Sequence, residues 1–340
     1  MFSPIARRLA LIGACIGLAA TSLAHADPLP IRAGWVAAPA SLLPVLFAKP
    51  GIARHQGSSY QLEPTYFSAS PTMITALASG ELEIAALGYS TMSLAILNAR
   101  VDDLRVIADE IQDGHPGYYS NSFVVRKDSP IQTVADLKGK VVATNGLGSG
   151  VDIAMRTMLL KSGLRDKNGY TTVEVSFPNM KATLLEGKAD LVTNTLPFSY
   201  APDMIAASRV LFHQRDALGA SELSFWTSRA GFLQKNRAAM VDFMEDFVRA
   251  LHWYFDPANR TEAIAIIARF TKQPPERFTD WLFTKGDYYR DPNGVPDLDA
   301  LARNIRAQFE LGLLRADIDP QKYADLSLLR EAIARVGANR

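Results

Sequence analysis

One stretch of this chain occurs twice. Residues 71–84 read PTMITALASGELEI, residues 178–191 read PNMKATLLEGKADL, and the two align without gaps at a constant offset of 107 residues. Pro71/Pro178, Met73/Met180, Leu77/Leu184, Gly80/Gly187, Glu83/Asp190 and Ile84/Leu191 correspond. A proline in a first helical turn loses nothing by lacking its N–H. Methionine and leucine four apart share one helix face. Glycine then closes the helix in a left-handed cap, and an acidic residue leads into a short apolar strand. Helix, cap and strand make half of a βαβ unit, so the chain is expected to hold two related α/β modules.

The flanking residues extend each module. Ile31–Trp35 and Tyr60–Tyr66 read as strands around the first, with a helix-like stretch over Ser41–Lys49. Lys140–Thr144 and Thr172–Phe177 read as strands around the second, with a helix over Val151–Ser162. Strand-like runs at 121–126 and 222–228 read as the passages between two lobes. Downstream, Met240, Phe243, Met244, Phe247, Val248, Leu251 and Phe255 repeat at helical spacing. Further helices open near Thr261 and Asp297. The expected division is residues 27–121 with 224–340 for one lobe and 122–223 for the other.

The N-terminus reads as an address. Arg7 and Arg8 precede an uncharged apolar run, and Ala24-His25-Ala26 places small residues at −3 and −1 of a cleavage point. That is the order of a signal peptide over residues 1–26, cleaved after Ala26. The run is too short to cross ~30 Å of hydrocarbon as a helix. Cys15, the only cysteine, lies in this leader in a loose lipoprotein-like context, so the mature chain has no disulfide and depends on its core. Its length suffices to bury roughly three quarters of the unfolded surface. With 36 basic and 35 acidic residues and no basic run, the chain lacks an electrostatic footprint for nucleic acid.

Ligands of open parallel α/β sheets bind outside the carboxyl ends of the strands. Here those ends are rich in Ser, Thr, Asn and Gly: Gly34-Trp35, Phe67-Ser68-Ala69-Ser70, Gly88-Tyr89-Ser90-Thr91, Thr144 through Gly150, and Thr193-Asn194-Thr195. The candidate ligand-binding residues are Trp35, Ser68, Ser70, Ser90, Thr91, Asn145, Gly148, Ser149 and Asn194. Trp35 reads either as an aromatic wall or as core. Gly148-Ser149-Gly150 follows a strand and opens a helix, where free N–H groups and the helix dipole favour an anion or carbonyl. A dinucleotide fingerprint fails because Val151 stands where a third glycine is needed. The four histidines outside the leader have no metal-ligand spacing, no G-x-S-x-G elbow exists, and no nucleophile–base set emerges. The expectation is a non-enzyme with neither metal nor cofactor.

Taken together, the Phe67–Pro71 loop, the Ala76–Ile84 step, Gly88, Phe123-Val124-Val125-Arg126, Ala135 through Lys140 and the Gly148-Ser149-Gly150 turn resemble the nitrate/sulfonate/taurine-type substrate-binding proteins of ABC importers. The likeness runs from about Ile31 to Leu313. It implies a type II periplasmic-binding fold, with two α/β lobes joined by two crossover strands and closing like a hinge. It further implies a monomeric periplasmic receptor that captures a small polar or anionic organic molecule, such as a sulfonate or carboxylate. That molecule would pass to an inner-membrane ABC permease driven by a separate ATPase. Two departures loosen the ligand class: Ala69-Ser70 where the family has Ser-Gly, and Thr195-Leu196-Pro197 where it has Trp and an acidic residue. The alternatives are an enzyme on the same fold related to thiamine-pyrimidine synthesis, and a ligand-sensing ectodomain or adaptor.

Overall fold

The computed structural model describes residues 27–338; the leader and Cys15 lie outside them. In the first module, β1 (Leu29–Trp35) and β2 (Tyr60–Tyr66) precede α1 (Met73–Ser79), β3 (Ile84–Gly88), α2 (Tyr89–Leu97) and β4 (Leu104–Asp113). The second module runs β5 (Ser122–Arg126), β6 (Val141–Thr144), α3 (Gly150–Lys161), β7 (Thr171–Glu174), α4 (Met180–Leu185), β8 (Leu191–Asn194) and β9 (Ser208–His213). β10 (Ser221–Arg229) is followed by α5 (Arg237–Phe255), α6 (Arg260–Thr271), α7 (Leu298–Glu310) and α8 (Ser327–Ala338). The stretch read as helical over Ser41–Lys49 forms only a single turn, Leu43–Leu46. Pro44 lies within that turn, and Pro50 with the left-handed Gly51 keeps the helix from extending.

The strands make two five-stranded sheets, ordered β2-β1-β3-β10-β4 and β7-β6-β8-β5-β9. In each, the first three strands are parallel and the fourth runs against them. The sequence repeat recurs in the hydrogen bonding. Gly80 and Gly187 are both left-handed. The next residue's N–H reaches back to Ala76 in one copy and Thr183 in the other, at 2.8 and 3.0 Å. Glu83 then accepts the backbone N–H of Arg32 at 2.8 Å. Its counterpart Asp190 accepts that of Val141 at 3.0 Å. The acidic residue therefore ties its strand to the neighbouring parallel strand in each sheet, which explains why the repeat keeps a carboxylate there.

The chain crosses between the sheets at 114–121 and 214–220. Each crossing leaves a strand absent from the sequence reading, β4 or β9, and enters β5 or β10. The two crossings lie side by side. Gln214 donates its N–H to the Asn121 carbonyl (2.8 Å), and Asn121 Nδ2 donates to Gln214 Oε1 (3.1 Å). Asp113 accepts from the Ser120 hydroxyl (2.7 Å) and the Asn121 N–H (2.6 Å). A C-terminal segment braces them: Tyr119 donates its N–H to the Asp287 carbonyl, and the Tyr288 hydroxyl bonds Asn121 Oδ1.

The C-terminal helices pack on the first sheet. α7 lies against β10 and α2, and α8 runs along α5. One apolar core fills this side, with Phe225, Phe243, Tyr254 and Trp281 fully buried. The second sheet has smaller cores on its two faces, one around Phe123, Met155 and Leu191, the other around Val124, Met180 and Val192.

Beside the crossings lies a buried carboxyl pair. Asp109 on β4 accepts the Asp291 N–H, and Glu222 on β10 accepts the Asp297 N–H. That leaves Asp109 Oδ1 and Glu222 Oε1 as the orphaned oxygens. A shared proton satisfies both. Burial and the neighbouring Asp109 charge push the Glu222 carboxyl up, so Glu222 holds that proton. Burial also raises Asp113 to about 7. The folded state thus binds more protons than the unfolded chain above the ordinary carboxyl range. The stabilising contribution is complete below about pH 4 and is lost as pH rises through about 7. The melting temperature should fall between pH 5 and pH 8. Glu222→Gln, which keeps both a donor and an acceptor, should flatten that fall; an unchanged slope in thermal melts would contradict the shared proton.

Candidate functional site

The carboxyl ends of the parallel strands in both sheets face one gap, which holds a cavity of about 80 Å³. The first sheet supplies Val36 and Ala37 after β1, Ser70 after β2, Gly88 at the end of β3, Glu110 on β4 and Ser224 on β10. The second supplies Asn145 after β6, Ser149, Gly150 and Val151 at the start of α3, Phe177 after β7 and Thr195 after β8. Asn121 of the first crossing, Tyr288 of the bracing segment and Ser41 also line it. No Cys, His, Lys or Arg is among the lining residues.

Of the residues expected at the site, Ser70, Asn145 and Ser149 share this wall. Ser149 caps α3, accepting the Asp152 N–H and donating to Asn145 Oδ1 at 2.9 Å. Its predicted anion cradle is largely occupied from within. The Gly148 N–H donates to Asp152 Oδ2 (2.8 Å), and Asp152 is also held by Arg156. What the glycine turn presents to the first lobe is a carbonyl. Gly148 O accepts the Ser90 hydroxyl at 2.8 Å and the Thr91 hydroxyl at 3.4 Å. Ser90, Thr91 and Gly148 therefore form a clasp between lobes rather than cavity wall. Ser68 joins it, its carbonyl accepting from Asn145 Nδ2 (3.3 Å). The Tyr89 hydroxyl adds a bond to the Gly150 carbonyl (2.5 Å).

Trp35 and Asn194 stand elsewhere. Trp35 packs on Tyr66 and Phe270, with ring centroids 5.2 and 6.0 Å away. It lines a neighbouring cavity that shares Val36, Ala37 and Phe177 with the first. The Asn194 carbonyl accepts from the Tyr119 hydroxyl (3.3 Å), and its buried Oδ1 has no partner.

Sequence reasoning missed Glu110, Asn121, Ser224 and Tyr288. Glu110 is 5% exposed. Its Oε2 accepts the Ser224 hydroxyl, and the Ser41 hydroxyl lies beside the same carboxyl. Burial raises its carboxyl to about 6, against the opposing pull of the Ser224 and Ser41 hydroxyls. Its signal in sequence was faint, because three carboxylates within β4 look like a solvated edge.

Outside the cleft, His55, Asp242 and Glu245 bring metal-ligating atoms within 4.8 Å of one another. Arg335 pairs with Asp242 (3.0 Å), and Glu245 is held by Arg249, so these carboxylates are already neutralised. His213 and Asp216 form a helix cap. Among the described residues, no helix is long and apolar enough to cross a membrane.

Residues 56–198 match a family model described as the periplasmic substrate-binding protein of a phosphonate ABC transporter. No curated protein matches the chain. Among solved structures, it is similar to the alkanesulfonate-binding protein SsuA from Xanthomonas axonopodis pv. citri bound to MOPS. That pair has 20% identity and a TM-score of 0.69, over 88% of this chain and 99% of that one. It is also similar to the periplasmic nitrate-binding protein NrtA from Synechocystis PCC 6803, at 17% identity and TM-score 0.70, over 91% and 89%. The desulfurization enzyme DSZB shares the fold too, at 16% identity and TM-score 0.63, over 90% and 99%. The resemblance read from the sequence points to the same proteins, and the two-lobed α/β fold it implied is the one observed.

Closure depends on missing side chains. A Cβ on Gly146 would lie 2.5 Å from the Ala69 methyl of the other lobe. Gly146 does not have a positive φ, so Gly146→Ala leaves its own backbone unstrained and acts only by propping the lobes apart. It should leave the melting temperature of the free protein within about 1 °C, since the lobes can part. It should weaken ligand binding by roughly tenfold or more. Scattering that shows the same ligand-induced compaction as in the parent protein would refute this.

Proposed function

We propose that the chain is the extracytoplasmic substrate-binding receptor of an ABC importer, capturing one small polar organic molecule between its lobes. In this reading residues 27–121 and 224–340 make one lobe and 122–223 the other. The leader is removed after Ala26, the receptor works as a monomer in the periplasm, and the ligand passes to a permease driven by a separate ATPase. The observation that carries the reading is the placing of one cavity between two sheets whose closing hydrogen bonds ring it. A ligand touching Ser70 on one side and Asn145 or Ser149 on the other stabilises the closed form alone, so occupancy and closure are linked. A micromolar ligand supplies about −8 kcal/mol, enough to outweigh a closure penalty of a few kcal/mol. The family description of residues 56–198 supports the same role, as do the functions of the sulfonate- and nitrate-binding neighbours.

The receptor binds without chemistry in this reading. The cavity wall offers a carboxyl and hydroxyls but no thiol, imidazole or amine to pair as nucleophile and base. The fold alone does not decide the matter, because DSZB has it and is an enzyme.

A thermal-shift screen with sulfonates, phosphonates, carboxylates and aromatic acids should yield a stabilising compound that mass spectrometry recovers unchanged. Asn145→Ala and Ser70→Ala should each weaken its binding by roughly tenfold, as expected for one lost buried hydrogen bond. A turned-over compound, or affinities untouched by both variants, would sink the receptor reading.

A further inference from the structure

A second cavity lies beside the bracing segment, walled by the end of α5, the start of α6 and residues 283–292. It holds about 470 Å³, several times the space between the lobes, and shares only Tyr288 with that first cavity. Two of its lining residues carry buried donors that nothing in the described chain satisfies. The Tyr254 hydroxyl has no hydrogen-bond partner, though the residue is 1% exposed. Arg290 is 5% exposed. Its Nη1 faces Asp287 at 3.2 Å and its Nη2 donates to the Ala40 carbonyl at 3.0 Å, which leaves Nε without an acceptor. The small void that Arg290 also borders holds about 10 Å³, too little for a solute. Buried donors left unmatched are costly.

The charge on the wall points the same way. Asp287 is the one acid there, and Arg290 neutralises it. Two further cations are exposed at the solvent edge. Arg260 donates Nη2 to the Thr279 carbonyl (2.8 Å) and pairs with no carboxylate, and Lys285 has neither an ion pair nor a hydrogen bond among the described residues. The rest of the wall is largely aromatic. Tyr254 lies against Phe283 with ring centroids 4.6 Å apart, and Tyr118 meets Tyr289 edge-on at 5.2 Å. Burial holds the Tyr254 hydroxyl well above its ordinary range, so it stays a protonated donor. Flat apolar faces beside buried donors and unpaired cations suit a ring that carries an acid.

We propose that this cavity is a second ligand site, taking a small aromatic carboxylate whose oxygens accept from the Tyr254 hydroxyl and Arg290 Nε while Arg260 and Lys285 draw it in. The segment that walls it also braces the two crossings, through the Asp287 carbonyl and the Tyr288 hydroxyl. The site therefore stands at the hinge rather than at the strand ends.

Calorimetry on the purified protein tests this with benzoate, 2-naphthoate and indole-3-carboxylate, each against its uncharged amide, and with acetate. At least one aromatic acid should bind about tenfold tighter than its amide and than acetate, the worth of one charge-assisted hydrogen bond. Tyr254→Phe should weaken that acid by roughly tenfold, and Lys285→Gln by roughly threefold, as expected for an exposed charge. The Tyr254 hydroxyl has no partner in the chain, so Tyr254→Phe should not lower the melting temperature of the free protein. Should that variant nevertheless fail to fold, the comparison of acid with amide on the parent protein still decides. Asn145→Ala, in the inter-lobe cavity, should leave the affinity for the acid unchanged. Affinity untouched by Tyr254→Phe, equal binding of acid and amide, or no binding by any probe overturns the inference. A loss on Asn145→Ala overturns it too, by placing the probe between the lobes. Each of these results leaves the receptor reading standing.

Discussion

Two helices begin at the same gap, and the cavity exists because their first turns can almost touch. α2 starts after Gly88 and α3 starts at Gly150. A side chain on Gly88 would come within 3.5 Å of the Gly150 nitrogen. At that range, hydroxyls from Tyr89, Ser90 and Thr91 reach the carbonyls of Gly148 and Gly150. The glycine turn thus serves as a backbone surface that the opposite lobe can grip. It was legible as a ligand cradle because strand, glycine and helix is the pattern of one. Asp152 changes its use by taking the Gly148 N–H for the protein itself.

Much of the architecture could be read from one repeat. Its proline, glycine and carboxylate each answer a local backbone need, so they keep their spacing even where the surrounding residues differ. Ser70, Asn145 and Ser149 followed from the strand-end rule and do meet. Ser90 and Thr91 sit at strand ends as well, but helix geometry turns their hydroxyls toward the partner lobe. Trp35 shows the limit of reading an aromatic residue: its ring found Tyr66 and Phe270, neither near it in sequence.

Glu110 was hidden for a different reason. The run LRVIADEIQD in β4 breaks the alternation that marks a strand. It can be a strand only because β10, more than a hundred residues away, shields it on one side, and the segment around 287–294 on the other. Local sequence cannot announce partners that distant. The same burial that conceals the carboxylates from pattern reading raises their proton affinity.

The placing of β10 governs the order in which the chain can assemble. It lies between β3 and β4, so no nascent or half-threaded polypeptide ending before residue 221 can complete the first sheet. All strands of the second sheet fall within 122–213 and need no late arrival. Such a chain emerges with its larger half necessarily unfinished, slow to close because its central pairing spans long sequence separations.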